Sequence, residues 1–291
     1  MNYSPLRYPG GKSKLYKLVK YMIKKINDKI VYIEPFVGGA GLALSLLFNN
    51  DVESIIINDY DKGIYSFWRA ILTETDKFVK MIEETPITIN EWKRQKEIFN
   101  KNNKKYSVEL GFATFYLNRT NRSGIIKAGP IGGYEQSGKY KLDCRFNKIE
   151  LVKRILKIAS NKKKIKLYNY DIKTFMKKVL PKYENRFTYY DPPYYEKGEE
   201  LYKNYLTHED HVLIADLIKN DFSNWLVTYD NSPEIEKLYD IYKINRYLLN
   251  YSVANSGKAE ELIFSSNDQL WPSIEDVEKL KFNLKLEENH K

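Results

Sequence analysis

Val31-Tyr32-Ile33-Glu34-Pro35-Phe36-Val37-Gly38-Gly39-Ala40-Gly41, followed by an apolar stretch from Leu42 to Phe48 and by Ser54-Ile55-Ile56-Ile57-Asn58-Asp59, decides the fold. The two β-branched runs read as short strands, and the stretch between them has the length and composition of a helix. A strand, a helix and a second strand in that order make a βαβ unit, whose strands lie parallel because the helix carries the chain back. Working outward, Ile165 to Tyr170, Arg186 to Tyr190 and Asn224 to Tyr229 read as further strands. Helices over Asn147 to Ser160, Ile172 to Leu180 and Thr207 to Lys219 alternate with them. Near the C-terminus, Ile244 to Val253 and Glu261 to Ser265 have no helix-length spacer and read as an antiparallel pair. The fold class is therefore α/β, an open, mostly parallel sheet with one reversed strand.

The interval from about Ile64 to Asn147 breaks this alternation with polar helical stretches and then a segment rich in glycine and basic residues. It reads as an inserted helical and hairpin module, which divides the chain into 1–63, 64–147 and 148–291. Residues from about Lys281 onward are charged and are expected to be loosely held.

The 291 residues carry a formal charge of +10, a field that attracts polyanions, with nucleic acid foremost. The single cysteine, Cys144, excludes an intramolecular disulfide framework and a cysteine-built zinc site, and points to a reducing cytosol. No metal is implied. The most apolar stretch is interrupted by Glu34, Pro35 and glycines, which excludes a span of about 20 apolar residues. The N-terminus has no secretory pattern, so the expected place is the cytoplasm.

Arg186 to Tyr190 stops at Asp191-Pro192-Pro193-Tyr194. Two prolines cannot donate to a ladder, so the backbone leaves the sheet with a carboxylate at its end and an aromatic ring just beyond. Alone, this reads most simply as a stiff turn with a capping Asp. At the end of a strand in an α/β sheet, the same acceptors beside a ring suit a planar substrate carrying an amine. Glu34 to Gly41 leaves a strand and opens a helix, where free backbone N–H groups meet polar ligands. Gly39-x-Gly41 lacks the third glycine of a dinucleotide fingerprint, Leu44 standing there, while Asp59 is 18 residues past Gly41, near the spacing of an acid that binds ribose. A nucleoside without a long phosphate chain satisfies both facts. Pro9-Gly10-Gly11-Lys12 lacks the glycine and strand of a triphosphate loop, and reads as a turn that aims Tyr8 and Lys12 at a carboxylate-bearing ligand.

Asn118-Arg119-Thr120-Asn121-Arg122, with Lys127, Lys139, Lys141 and Arg145, spaces amides and cations along a glycine-punctuated loop, as base and phosphate contacts require. Lys93, Arg94, Lys96, Lys101, Lys104 and Lys105 add a basic helical stretch suited to phosphates, or a solvated face. Thr207-His208-Glu209-Asp210-His211 resembles a metal cluster but reads better as a helix start, with Thr207 as cap, Asp210 as its partner and His211 packed on the helix.

Pro9-Gly10-Gly11-Lys12, Glu34 to Gly39, Asn58-Asp59, Asn118-Arg119, Asp191 to Tyr194 and Val227-Thr228-Tyr229-Asp230-Asn231-Ser232, in this order, resemble the Dam-type DNA adenine methyltransferases, the alpha group of amino-methyltransferases. The resemblance spans nearly the whole chain. It implies a Rossmann-like methyltransferase sheet and S-adenosyl-L-methionine as methyl donor. It implies cofactor contacts from Tyr8, Gly10, Lys12, Pro35, Phe36, Gly38, Gly39, Asp59, Asp171, Ile172 and Asp191. Asp191, Pro192 and Tyr194 become the catalytic group for the N6 amine of a flipped adenine. Asn118, Arg119, Arg122, Lys127, Lys139 and Lys141 become contacts to double-stranded DNA. It further implies a monomer on DNA in a prokaryotic or phage, nucleoid-associated setting, as an orphan methylase or beside a cognate restriction endonuclease. Cytosine or RNA as acceptor, and a noncatalytic DNA-binding regulator, are the alternatives to be tested against it.

Overall fold

A computed structural model of the chain describes residues 3–7, 12–26, 29–101, 105–196, 206–250, 258–282 and 284–286. Its helices are α1 (Tyr16–Ile26), α2 (Gly41–Phe48), α3 (Lys62–Thr73), α4 (Thr75–Glu84), α5 (Ile89–Lys101), α6 (Val108–Thr120), α7 (Lys148–Ser160), α8 (Ile172–Lys178), α9 (His208–Lys219), α10 (Pro233–Leu238) and α11 (Ile274–Leu280). Its strands are β1 (Val31–Glu34), β2 (Ser54–Asn58), β3 (Ile165–Tyr168), β4 (Arg186–Tyr190), β5 (Asn224–Asp230), β6 (Asn245–Asn250), β7 (Lys258–Ser265) and β8 (Leu284–Leu286). They form one sheet of eight strands in the order β3-β2-β1-β4-β5-β7-β6-β8. Pairing is parallel for β2 with β3, β1 with β4 and β4 with β5. β7 is antiparallel to β5 and β6, and β8 is antiparallel to β6.

The reversed direction thus belongs to two strands, β7 and β8, where the sequence suggested one. β8 falls in the C-terminal stretch expected to be loose, yet Leu284 is buried and pairs with Tyr247. Three residues with one buried apolar side chain are too short for a periodic pattern to be read.

The chain divides into two compact units, one of Met1–Ser13, Val37–Ser45 and Ile55–Asp171, the other of Lys14–Phe36, Leu46–Ser54 and Ile172–Lys291. In the first, Asp61 caps α3 by accepting from the N–H groups of Gly63 and Ile64 at 2.8 and 3.0 Å. The core of this unit is aromatic. Phe67 stacks on Phe115 with ring centroids 5.7 Å apart and meets Phe78 edge-on at 5.7 Å. Phe146 closes on Phe115 from the other end of the segment at 5.3 Å. Helix α6 is buried almost all round, so it carries no amphipathic stripe. It also lies against the backbone of α3, where a Cβ on Gly111 would stand 2.6 Å from the Ser66 carbonyl oxygen. The segment after α6 holds no strand up to α7, only a short 3-10 turn at Arg122–Gly124, further turns and one isolated bridge from Asn121 to Pro130. The hairpin half of the expected helical and hairpin module is therefore a loop braced by side chains.

In the second unit the core gathers Tyr190, Trp225, Val227, Tyr229 and Phe264 from β4, β5 and β7, with Ile235 of α10 and Tyr239 just after it, together with Ile214, Ala215 and Ile218 of α9. One carboxylate anchors its lower edge. Asp221 accepts from Arg186 at 2.6 Å, from the Tyr190 hydroxyl at 2.7 Å and from the Ser223 hydroxyl at 2.8 Å. Its backbone carbonyl takes the Trp225 indole N–H at 3.0 Å. The Asp221 side chain is 1 % exposed, and deleting one member of a buried ion pair strands the other. Asp221→Ala is expected to lower the unfolding free energy by about 3 kcal/mol or more, read from urea denaturation.

Candidate active site

Strand β4 ends at Tyr190, paired with Val227, so Asp191 continues toward Thr228 of β5. Side chains alternate along a strand, which puts Tyr189 and Asp191 on one face. There the Thr228 hydroxyl donates to Asp191 Oδ1 at 2.9 Å, and Tyr189 Oη lies 2.6 Å from Thr228 Oγ1. A hydroxyl has one proton; with that of Thr228 committed to Asp191, Tyr189 donates to Thr228. Both are buried, and Asp191 receives the end of a two-hydroxyl relay.

The chain beyond Asp191 is held from β5 and β7. Tyr194 is 6 % exposed and its hydroxyl donates to Glu261. Asp230, directly across the ladder from Glu261, accepts the backbone N–H groups of Tyr195 at 2.8 Å and Glu196 at 2.9 Å. Pro192 is buried. Thr228 and Asp230 lie two apart on β5, hence on one face; Thr228 holds Asp191 and Asp230 holds the backbone just past Tyr194. The sequence reading singled out Val227 to Ser232 without giving these two side chains roles; their period-two spacing was the available signal. Glu261 had none.

Next to this group, His211 is 1 % exposed, and its Nδ1 lies 3.1 Å from the Tyr229 hydroxyl. Burial, the largest influence, pushes its pKa down to about 4, so it is neutral at ordinary pH. Thr207 and Asp210 form the reciprocal capping box read from the sequence. Among the described residues no group of His, Cys, Asp and Glu has the arrangement of a metal site.

In the first unit, the glycine loop is fixed from its own backbone outward. Gly38 has φ +46°. Its N–H donates to Asp59 Oδ2 at 2.9 Å and its carbonyl accepts the Trp68 indole N–H at 2.9 Å. The Gly39 carbonyl accepts the Ser4 hydroxyl. Asp59 Oδ1 accepts the Asp61 N–H at 2.9 Å. Each carboxylate oxygen then keeps lone-pair capacity, since an ionised carboxylate has about four acceptor positions. Burial, and after it the charge of Asp61, push the Asp59 carboxyl up to about 7. Asn58 secures the neighbouring chain through two bonds with Tyr170, at 2.8 and 3.0 Å. Lys12 is buried, whereas Asp171 is exposed. In the second unit, Pro35 is buried, and Phe36 and Ile172 pack against the apolar core. Tyr8 and Gly10 lie outside the described residues.

The residues read as DNA contacts divide by burial. Asn118 is 1 % exposed, and its amide is taken up by the Arg7 N–H, the Arg7 carbonyl and the Gly124 carbonyl at 2.7, 2.7 and 2.9 Å. It ties the N-terminal segment to α6 and faces no solvent, which corrects its reading as a DNA contact. Lys96 is likewise turned inward, donating to the Ile126 carbonyl at 2.7 Å. Arg94 pairs with Glu91 on its own helix. Lys104 lies outside the described residues. Arg119 donates to the Arg145 carbonyl, and its Nε, shielded from solvent, has no partner among the described residues. Burial, then the charges of Arg7, Arg154 and Arg145, push its pKa down to about 9. Arg122, Lys127, Lys139 and Lys141 are exposed.

A family model described as D12 class N6 adenine-specific DNA methyltransferase matches residues 8–252. A curated relative, the type II methyltransferase M.MjaIII of Methanocaldococcus jannaschii, is 24 % identical over 205 residues, which cover 65 % of this chain and 68 % of that protein. Among solved structures, M. capricolum TrmK in complex with S-adenosyl-homocysteine aligns at 12 % identity and a TM-score of 0.38, covering 90 % of this chain and 73 % of the other. The rRNA methyltransferase aviRa from Streptomyces viridochromogenes aligns at 11 % identity and a TM-score of 0.38, covering 89 % and 86 %.

The relay from Tyr189 through Thr228 to Asp191 has a thermodynamic signature of its own. Tyr189→Phe and Thr228→Val, made singly and together, are expected to be non-additive by roughly 1 kcal/mol in unfolding free energy, because both remove the same hydrogen bond, the first its donor and the second its acceptor.

Proposed function

The chain belongs to the D12 class of N6 adenine-specific DNA methyltransferases, and from that premise we propose that Asp191, Pro192 and Tyr194 act on the amine of an adenine flipped out of the duplex, with S-adenosyl-L-methionine as methyl donor. The observation that carries this reading is the Asp191 carboxylate, oriented by Thr228 at 2.9 Å where β4 gives way to two prolines. When bound, the donor supplies an activated methyl group on a sulfonium.

An exocyclic amine conjugated to a purine is a poor nucleophile, since its lone pair is drawn into the ring. Asp191 and the Pro192 carbonyl accept its two hydrogens and draw the nitrogen toward tetrahedral geometry, so that the lone pair points at the methyl carbon. With the donor bound, its methyl group would pass to the amine nitrogen with a neutral thioether as leaving group, and the extra amine proton would pass by way of the Asp191 carboxylate to water. Positioning and fixed dipoles supply the rate, so no strong base is required. Tyr194 stacks on the adenine, and the bond to Glu261 sets the plane of its ring.

Supporting the cofactor assignment, the Asp59 carboxylate has lone pairs left for two vicinal ribose hydroxyls. Gly38 and Gly39 are assigned to the methionine part of the cofactor, and the sequence motifs assign Pro35, Phe36, Tyr8, Gly10 and Lys12 to the cofactor as well. Asp171 and Ile172 serve the adenine of the cofactor. Unstacking the target base costs about a few kcal/mol, which Arg119, Arg122, Lys127, Lys139 and Lys141 offset by holding the DNA. The segments 1–63 and 148–291 carry the chemistry in this reading, and 64–147 recognises the target. The type II relative favours work beside a cognate restriction endonuclease, with the chain a monomer on its DNA.

Asp191→Ala is expected to lower kcat for transfer of labelled methyl to duplex DNA by about 10²-fold or more, with cofactor and DNA binding retained in calorimetry. Normal turnover in that variant contradicts the assignment. Cofactor affinity should depend on pH through Asp59. Ribose hydroxyls donate to the ionised carboxylate, so binding is at full strength above the raised pKa of about 7. As pH falls below that value affinity declines, approaching about tenfold per pH unit. In Asp59→Asn, titrations across the same pH range should show weak binding without that slope.

A further inference from the structure

The loop at 131–142 has an interior of its own. Ile131 and Leu142 are buried at its ends, while Tyr134 and Tyr140 are 56 % and 59 % exposed. A single side chain occupies its centre. Gln136 Nε2 donates to the carbonyls of Ile131 at 2.7 Å and Gly133 at 2.6 Å, and its Oε1 accepts the Leu142 N–H at 2.9 Å. The ammonium of Lys141 donates to the Gln136 backbone carbonyl. Across the neck of the loop, the Gly138 N–H donates to the Gly132 carbonyl at 3.1 Å.

The backbone is shaped to admit this amide. Gln136 itself has φ +50°, and Gly132 has φ +85°. A Cβ on Gly132 would stand 2.7 Å from the Tyr140 carbonyl oxygen and 3.1 Å from Gln136 Nε2. A loop without a strand ladder would lose its order in solution and regain it at a cost on binding. Here one amide replaces the ladder. What it holds outward is two phenol rings with low rotamer entropy and the Lys139 ammonium, 5.8 Å from the Tyr140 ring centroid.

We propose that Gln136 is a positioning residue for target selection: it preforms the 131–142 loop as a surface that reads the DNA around the methylated adenine, with Tyr134 and Tyr140 toward base edges and Lys139 toward phosphate. This rests on the adenine-methylation reading. The tetrad and the glycine loop use other residues, so loss of Gln136 alters the choice of DNA and spares methyl transfer.

The wild-type recognition site is first mapped by methylation sequencing. Wild type, Gln136→Ala and Gln136→Glu are then compared on duplexes carrying that site or single-base variants of it. Gln136→Glu keeps the acceptor for Leu142 and loses both donations to carbonyls. In both variants KM for the mapped duplex is expected to rise about tenfold, the scale of one or two lost hydrogen bonds. The ratio of kcat/KM between mapped and altered sites should fall by a similar factor, with kcat at saturating DNA and cofactor affinity unchanged. Unchanged KM and discrimination overturn the proposal. So does a joint loss of kcat, cofactor affinity and thermal midpoint, which would make Gln136 a general fold contact. Failure of the wild type to form N6-methyladenine removes the underlying reading instead, which keeps the two failures apart.

Discussion

The hydrogen bond from Thr228 to Asp191 is the constraint on which the catalytic account depends. It exists because β4 and β5 pair in parallel with Tyr190 opposite Val227, which brings the next position of each strand into reach as the ladder ends. A slip of one residue would turn Asp191 to the opposite face of the sheet. The register is therefore secured on the other face too, where Asp221 gathers Arg186 and the Tyr190 hydroxyl. The Asp191 carboxylate is thus held by sheet pairing, and the prolines after it remove the N–H groups that would prolong the strand.

The remaining polar groups follow the same division of labour. In the second unit, Asp230 and Glu261 hold the segment that follows Asp191, so both acidic side chains are used as acceptors of specific protons. In the first unit, Asp59 braces the loop that contains Gly38 while retaining acceptor capacity. Its raised pKa reflects the desolvation that such a double duty imposes. The basic residues divide likewise between those used as structure, such as Lys96 with its bond to the Ile126 carbonyl, and those left exposed on the loop after α6.

The βαβ start, the positions of the parallel strands along the chain and the break at Asp191 were legible in the sequence because each is written in local chemistry: β-branched runs, glycines at a turn, prolines at a strand end. The THEDH helix start was legible for the same reason, as a capping box is a spacing rule. Helix α6 was not, because burial on every side erases its stripe. Asn118 was read as a DNA contact because an exposed amide and a buried one look alike in a sequence; only its bonds to the Arg7 backbone assign it inward. Glu261 and Gln136 escaped for a related reason, their partners being set by strand pairing and loop closure. The expected hairpin failed where glycines at positive φ and one internal amide shaped turns.

The most direct measurement of the central claim is transfer of labelled methyl from S-adenosyl-L-methionine to duplex DNA by the wild-type chain, followed by digestion to nucleosides and mass spectrometry. The account predicts that the label is recovered as N6-methyladenine. Label confined to N4-methylcytosine, or none in DNA with active cofactor present, would contradict it.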